Sequence, residues 1–294
     1  MSLASGPVRV TLDRLTPADL VEAFAFLDHD PVLNVYMLAL LLRDSFGRAQ
    51  DEYWAARREG RLAALLYLGV PSGAVLPVGD DLEALQRLGD LARERAERLP
   101  RRFQVVGARD AVGPFIERFA RTGLVPRLDR MQIYMSLAPE RLRPFDRLAE
   151  LRPAGSADLD LVHESGALLR AEELEEDPRQ VDPAAYRRRA EEECRDGYTL
   201  LWVGADGLRF RASVSALTAD AAQVSGVYTP PAQRGRGNAR RGMSELCTRL
   251  FERSRAVCLF VNDFNAPAIA VYRRLGFQER ARWASAFFDQ GWCG

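Results

Sequence analysis

The sequence predicts a mixed α/β protein, of the α+β type, in which one order of elements occurs twice. Its 294 residues are about twice the length of a common domain, which predicts two domains. Hydrophobic residues make up 47% of the chain, enough for a core in each half. Both halves show the rough order strand, helix, strands, helix, strand, helix, strand, and this repetition indicates two copies of one fold.

The N-terminal half, residues 1–138, begins with a strand and a capped helix. Thr16 offers a hydroxyl at the N-cap, Pro17 stands at the first helical position, and Asp19 adds an acid to the first turn. The pair Glu59-Gly60 predicts a turn between two strands. The predicted strands are Val8–Leu12, Tyr53–Arg57, Leu62–Gly69, Ala74–Val78, Phe103–Gly107 and Met131–Leu137, and the further helices are Asn34–Arg43, Leu82–Leu99 and Ala111–Arg121.

A linker at residues 139–147, with two prolines and several arginines, separates this half from the second domain at residues 148–294. The second domain is predicted to contain strands at Leu148–Leu151, Tyr198–Val203, Arg209–Leu217, Ala222–Tyr228, Val257–Val261 and Arg280–Phe288. Its predicted helices are Ser156–Leu169, with Ser156 as N-cap, Pro183–Arg195, Ala239–Arg253 and Pro267–Leu275. Residues Glu172–Asp177 form an acidic connection between the first two of these helices.

Charge and composition exclude several classes of protein. The 41 basic and 41 acidic residues balance, which argues against nucleic-acid binding through phosphate neutralisation. No apolar run is long enough to cross a membrane and no secretory signal is evident, so we expect a cytoplasmic protein. The four cysteines form no C-x-x-C pair and are interpreted as reduced thiols. With His29 and His163 as the only histidines, no metal centre is expected.

One segment has the features of an anion site. In residues 224–241 a β-branched strand runs into two prolines, then a loop rich in glycine and arginine, and then a helix. Gly235 and Gly237 permit close approach of a ligand to the backbone. The free amides and dipole of the helix start, with Arg234, Arg236 and the pair Arg240-Arg241, favour a pyrophosphate or a similar anion. The alternative is an arginine-rich turn exposed to solvent.

A second segment, residues 259–277, combines a buried strand with a capped helix. Asn265 is placed to cap the helix, Tyr272 lies two turns along it, and Gly276-Phe277 closes it. Taken alone, this is an ordinary strand–helix unit with Tyr272 in the core.

Together, the two segments resemble the GCN5-related N-acetyltransferase (GNAT) superfamily, over roughly Leu148 to Phe288. The first family motif, R-x-x-G-x-G/A, is matched by Arg234 to Ala239, and the second by Asn265, Tyr272 and Leu275-Gly276-Phe277. The whole chain resembles a bacterial subfamily of paired domains whose N-terminal copy is degenerate. The resemblance implies two domains, each with a mixed, mostly antiparallel sheet flanked by helices.

The resemblance also implies a site for acetyl-CoA as cosubstrate, without a metal. In the family, loop amides hold the pyrophosphate, and here these belong to Gly235, Arg236, Gly237, Asn238, Ala239 and Arg240, with Arg234 nearby. The pantetheine arm would pair with the strand end from Val227 to Thr229, where an amide would polarise the thioester carbonyl. Asn265 would contact the coenzyme arm, and Tyr272 would give a proton to the departing thiolate.

The implied acceptor is a primary amine on a small molecule or peptide. Many relatives carry an acid on the fourth strand, but Gln223, Ser225 and Tyr228 stand there, so the general base is unassigned. The acidic connection falls where relatives bind the acceptor. The residues expected to bind substrate are Glu164, Glu172 and Glu173, and the alternative is a solvated acidic loop.

The N-terminal half lacks the arginine–glycine loop. Its glycine-containing turns, Val70–Gly73 and Gly107–Asp110, have no arginine cluster, so we expect this half to have lost coenzyme binding and to shape the acceptor pocket or form a homodimer. Two alternative functions remain open, a non-catalytic acyl-CoA-binding sensor and tRNA-dependent aminoacyl transfer on a tandem fold of this kind.

Overall fold

The computed structural model describes residues 9–48, 50–120 and 123–291. The strands are β1 (Val10–Arg14), β2 (Glu52–Arg58), β3 (Arg61–Gly69), β4 (Ala74–Gly79), β5 (Arg102–Ala108), β6 (Leu128–Leu137), β7 (Arg152–Pro153), β8 (Thr199–Gly204), β9 (Gly207–Leu217), β10 (Ala222–Tyr228), β11 (Val257–Asn262) and β12 (Gln278–Asp289). The helices are α1 (Leu20–Asp28), α2 (Val35–Asp44), α3 (Leu82–Glu94), α4 (Arg109–Phe119), α5 (Leu159–Leu174), α6 (Pro178–Val181), α7 (Pro183–Asp196), α8 (Asn238–Leu250) and α9 (Ala266–Leu275).

The chain divides into two compact units, and the division differs from the predicted domains at the C-terminus. The second unit spans residues 135–279, whereas residues from 280 onward belong with the N-terminal part. Strand β12 pairs antiparallel with β5 from Trp283 opposite Ala108 to Asp289 opposite Arg102, and the ring of Phe288 stacks on that of Phe103 at 4.9 Å. The last strand therefore completes the core of the first unit, which corrects the prediction that it belongs to the second domain.

In the first unit the strand order is β1-β2-β3-β4-β5-β12, and all neighbours are antiparallel except the parallel pair β4–β5. Because successive strand residues face opposite sides, two cores form. Helices α3 and α4 bury Leu85 and Phe115 on one face. Helices α1 and α2 bury Leu27 and Leu41 on the other. The mixed, mostly antiparallel sheet flanked by helices is confirmed for this unit.

In the second unit the order β7-β8-β9-β10-β11 repeats this pattern, with three antiparallel pairs followed by one parallel pair, β10–β11. Helices α5 and α7 cover one face around Val162, Leu169 and Ala190. Helix α8 packs on the other face, and it comes so close that a Cβ on Gly242 would stand 2.4 Å from the ring of Phe210. Glycine at this position lets the helix reach the sheet, so the structure confirms two copies of one fold.

Three local predictions are corrected. Residues Leu148–Leu151 form a turn rather than a strand, because the Leu151 amide donates to the Leu148 carbonyl at 3.2 Å, and the strand is only Arg152–Pro153. Ser156 is not the N-cap of α5, because a short 3₁₀ turn at Ser156–Asp158 comes first. Residues Glu172 and Glu173 lie in the last turn of α5, not in a connection, since the helix continues to Leu174.

The predicted linker is packed on α8. The Phe145 amide donates to Ser244 Oγ at 2.8 Å, and the Arg240 guanidinium lies 4.3 Å from the centre of the Phe145 ring. Arg147 donates through Nε and Nη2 to Glu245 at 2.8 and 3.1 Å. Because α8 begins at the glycine loop, this anchoring fixes the helix that carries the loop.

Glu245 takes part in this anchoring, and we expect Glu245→Gln to lower the free energy of unfolding by about 2 kcal/mol. Its buried carboxylate also accepts from Arg249 Nε at 2.7 Å and from the Leu148 amide at 3.1 Å. The side-chain hydrogen bond from Arg147 is the main cause that lowers its pKa from 4.5 to about 2. A lowered pKa gives stability that is present above pH 4.5 and is lost as the pH falls from 4.5 toward 2.

Urea unfolding at pH 7.0 and 3.5 measures this effect. The free energies of unfolding of wild type and Glu245→Gln should differ less at the lower pH. The matched control is Glu252→Gln, at an exposed residue just after the same helix, which should change the unfolding free energy by about 0.5 kcal/mol or less. An equal, small effect of both variants would mean that the linker does not depend on Glu245.

Candidate active site

The second unit contains an opening between two neighbouring strands. Strands β10 and β11 pair only at Ala222–Val257 and Gln223–Cys258. Beyond Gln223, β10 continues to pair with β9, through a register shift between Ser225 and Tyr228 where Gly226 has a φ of +59°. Within the described chain the other edge of β10 has no strand partner there, so its backbone amides and carbonyls are available to a ligand. Of the predicted segment Val227–Thr229, Val227 and Tyr228 lie on this edge, and Thr229 follows the strand.

The glycine loop leads from β10 to the start of α8. Gly235 and Gly237 have φ values of +74° and +79°, and a Cβ on either would meet open space. No side chain caps α8 at Gly237, and the ladder of helical hydrogen bonds begins only when the Arg241 amide donates to the Gly237 carbonyl at 3.0 Å. The amides of Asn238, Ala239 and Arg240 therefore precede the ladder and are free to bind an anion.

Asn238 and Gln233 hold the loop in shape. The buried Asn238 side chain donates to the Gln233 carbonyl at 3.1 Å, and Gln233 Nε2 donates to Asp206 at 2.8 Å. Hydrogen bonds from Gln233 and then Arg209 lower the pKa of Asp206 to about 2, so its carboxylate is ionised at neutral pH. The loop is thus tied to the β8–β9 turn, a support that sequence reasoning missed.

The loop arginines have different environments. Arg236 is mostly exposed, 3.8 Å from Asp206, and is the arginine best placed to meet an anion at the loop. Arg240 lies on Phe145, and Arg241 lies 5.4 Å from the centre of the Trp202 ring. Arg234 forms an ion pair with Glu172 on α5.

Arg234 joins the predicted coenzyme loop to the predicted acceptor region. Its Nη2 donates to both carboxylate oxygens of Glu172 at 2.8 Å, and its Nε donates to the Thr229 carbonyl at 2.9 Å. The guanidinium also lies 5.8 Å from the centre of the Tyr228 ring. Of the other predicted acceptor residues, Glu164 and Glu173 are exposed on α5.

The second motif lies across the opening. Asn265 Oδ1 accepts from the Ala268 amide at 3.2 Å and caps α9, as expected for an ordinary N-cap. Tyr272 is buried, with its ring 5.7 Å from that of Phe277. Burial raises the pKa of Tyr272, and the charge of Glu173 raises it further, so the hydroxyl is protonated at neutral pH.

In the first unit, a side chain caps the start of the corresponding helix, α3. After β4, which pairs with β5 only at Ala74–Gln104 and Val75–Val105, the chain enters α3 through Gly79-Asp80-Asp81. The Asp81 carboxylate caps α3 by accepting from the Ala84 amide at 2.9 Å. Sequence reasoning looked for a loop at Val70–Gly73 and Gly107–Asp110, whereas the repeated strand order places its counterpart at residues 79–82.

The described residues contain neither a membrane-spanning helix nor a group of side chains that could hold a metal ion. In that part no helix is long and apolar enough to cross a membrane. Among the same residues, no group of three or more His, Cys, Asp or Glu is arranged to hold a metal ion. Cys194, Cys247 and Cys258 are buried, and Cys293 lies outside the described residues.

The second unit thus combines a splayed parallel strand pair, an uncapped glycine loop and a buried tyrosine on the next helix. Residues 209–287 match the family model described as FR47-like protein. A GCN5-related N-acetyltransferase from Sphaerobacter thermophilus has a TM-score of 0.61 at 18% identity, covering 96% of each chain. An acetyltransferase of the GNAT family from Colwellia psychrerythraea has a TM-score of 0.56 at 11% identity, covering 95% of this chain and 99% of that one.

A tandem GNAT protein from the clavulanic acid biosynthesis pathway has a TM-score of 0.57 at 17% identity, covering 97% of this chain and all of that one. At these identities the likeness shows the fold. No curated protein matches the sequence. The family model matches residues 209–287, and the three solved structures share the fold of this chain over almost its whole length.

Proposed function

We propose that the second unit transfers an acetyl group from acetyl-CoA to a primary amine of a small molecule or peptide. The observation that carries the proposal is the uncapped start of α8, reached through Gly235 and Gly237 with Arg236 beside it. Free amides, the helix dipole and an exposed arginine suit the diphosphate of coenzyme A. The unpaired edge of β10 leads from this loop into the opening, which suits the extended arm of the coenzyme.

The start of α8 in the second unit has room for the diphosphate of acetyl-CoA, whereas the start of α3 in the first unit does not. A bulky or acidic group at the helix start would exclude a diphosphate, and Asp81 is such a group at α3. At α8 the space around both glycines is open. When bound, acetyl-CoA supplies an acetyl thioester. We therefore assign coenzyme binding to the second unit and not to the first.

Each reacting group of the protein then has one task. The Val227 amide, on the free edge of β10, donates a hydrogen bond to the carbonyl oxygen that gains negative charge when the amine attacks. The new bond joins the amine nitrogen to the acyl carbon, the carbon–sulfur bond breaks, and the nitrogen loses one proton to water. The Tyr272 hydroxyl gives its proton to the departing sulfur, its raised pKa keeps that proton in place until then, and water returns a proton to the tyrosinate afterwards.

One observation favours a different class of function, a sensor that binds acyl-CoA without turnover. Strand β10 carries Gln223, Ser225 and Tyr228 and no acid that could accept the amine's proton. The buried hydroxyl of Tyr272 favours the enzyme, because binding alone has no use for a proton donor there. Transfer from aminoacyl-tRNA is less well supported, because the net charge is zero and the diphosphate loop is complete.

The test has two stages. Calorimetry with acetyl-CoA should give micromolar affinity, and thiol release in the presence of a panel of primary amines should exceed the rate of hydrolysis. Absence of acetyl-CoA binding would overturn the proposal. Tight binding without thiol release for every amine tested would favour the sensor.

A further inference from the structure

The chain contains a built cation site, and its own Arg234 occupies it. Three kinds of group that bind cations surround the guanidinium: the Glu172 carboxylate with both oxygens at 2.8 Å, the Thr229 carbonyl at 2.9 Å, and the face of Tyr228 at 5.8 Å. About half of each side chain of the ion pair is exposed, so the two can separate in water. A second cation would find the same partners if Arg234 left.

An independent observation indicates a missing ligand at this place. Tyr228 is only 3% exposed, and its buried hydroxyl has no hydrogen-bond partner in the described chain. Buried hydroxyls are normally satisfied, so an orphan points to an absent partner. Burial is the main cause that raises the pKa of Tyr228; the charges of Glu172 and Glu164 raise it further, and that of Arg234 lowers it.

The cation site adjoins the group that the proposed reaction assigns to the thioester carbonyl. Tyr228 and Thr229 directly follow Val227, whose amide has that role. Glu172 lies in the last turn of α5, at the negative end of the helix dipole, which favours a cation there.

We infer that Glu172, the Thr229 carbonyl and Tyr228 bind an ammonium group of the acceptor, and that Arg234 fills this site until coenzyme A draws it away. This inference rests on the proposed function and narrows the acceptor to cationic aliphatic amines. An amino acid is disfavoured, because its carboxylate would lie among Glu164, Glu172 and Glu173. The diphosphate competes with Glu172 for Arg234, so bound coenzyme A exposes the acceptor site.

The probe is 1,5-diaminopentane, measured by calorimetry with and without free coenzyme A, with 5-aminopentanoate as the isosteric amine that carries a carboxylate. Wild type should bind the diamine about 10-fold more tightly when coenzyme A is saturating, within the usual range of such couplings. Arg234→Met should bind it equally in both conditions, at the tighter level. The aminopentanoate should bind at least 10-fold more weakly than the diamine.

Two substitutions test the site itself. In steady-state transfer with acetyl-CoA, Glu172→Gln should raise the KM for the diamine at least 10-fold, and Tyr228→Phe should raise it about 5-fold. Because Glu172→Gln frees Arg234 for the diphosphate, it should also tighten acetyl-CoA binding by about 10-fold, the size of the coupling. Tyr228→Phe should leave acetyl-CoA affinity within 2-fold of wild type. The charge-matched controls, Glu192→Gln and Arg188→Met on the exposed face of α7, should behave as wild type.

The outcomes separate the two proposals. If acetyl-CoA binds and is used, but Glu172→Gln leaves the KM for the diamine unchanged, Arg234 and Glu172 are only a brace for the loop and the inference is wrong. The inference is likewise overturned if coenzyme A binds wild type without changing diamine affinity. If acetyl-CoA does not bind, the proposed function fails. The cation site is then tested separately: it exists if the diamine binds to Arg234→Met and does not bind to the double variant Arg234→Met, Glu172→Gln.

Discussion

Tyr272→Phe should lower kcat for acetyl transfer by about 10²-fold or more while leaving acetyl-CoA affinity within 2-fold of wild type. The substitution removes one oxygen from a buried ring and leaves the packing against Phe277 in place. Without the proton donor, the sulfur must leave as an unprotonated thiolate. Single-turnover thiol release with enzyme in excess separates this chemical step from coenzyme binding and product release.

The pH dependence gives a second readout of the same residue. Burial raises the pKa of the Tyr272 hydroxyl above its usual value of 10, so the donor stays protonated through pH 9.5. Wild type should therefore show no loss of kcat at alkaline pH from this group, and the ratio of wild type to variant should be constant from pH 7 to 9.5. A ratio that falls within this interval would show that the hydroxyl titrates there, and that burial does not hold the proton.

The control is Tyr198→Phe, which makes the same change at an exposed side chain of the second unit. It should leave kcat unchanged. Equal kcat for wild type and Tyr272→Phe would mean that Tyr272 is a core residue only, the ordinary interpretation of the strand–helix unit in which it lies.

The sequence was sufficient for features that local chemistry determines. The left-handed glycines and the capping Asn265 have residue types that their backbone or hydrogen bonds require, so their elements were predicted in place. The family resemblance placed the coenzyme arm at the strand end from Val227 to Thr229, and the register of β10 with β11 ends before this segment. The parallel pair could not be derived from periodicity, because alternation shows which face of a strand is buried and not which strand lies beside it.

The failures share that physical origin. Strand β12 can be predicted as a strand from its residues, but nothing local specifies β5 as its partner. The ion pair between Arg234 and Glu172 was not predicted, because a sequence does not show that two charged side chains 62 positions apart meet. Tyr228 was noted only as a residue that is not an acid, and its orphan hydroxyl became visible once the atoms around it were placed.

The largest loss of binding is expected when the loop itself is changed. Arg236→Glu combined with Gly237→Val should weaken acetyl-CoA binding at least 100-fold, which corresponds to about 2.7 kcal/mol. Valine is strained at the φ of +79° that Gly237 adopts, and its side chain would enter the open space that the diphosphate needs. The new carboxylate of Arg236→Glu repels the diphosphate and makes this helix start resemble that of α3, where Asp81 already stands.

The matched control makes the same pair of changes at the exposed start of a helix in the first unit, as Arg109→Glu with Gly113→Val. Gly113 has open space around it and no left-handed φ, so this control alters charge and size equally without touching the loop. Calorimetry should give wild-type affinity for the control. Urea unfolding of all three proteins shows whether any loss of binding exceeds the loss of folded protein, since strain at one residue costs about 1–3 kcal/mol.

The two single changes divide the effect by cause. Gly237→Ala keeps the charge and adds only backbone strain, whereas Arg236→Gln keeps the backbone and removes only the charge. If free amides at the start of α8 carry the binding, as the uncapped helix indicates, Gly237→Ala should cost more affinity than Arg236→Gln, and raising the salt concentration should weaken the charge-dependent part alone. If neither substitution changes the affinity for acetyl-CoA, the coenzyme binds away from this loop. The assignment of coenzyme binding to the start of α8 would then be wrong.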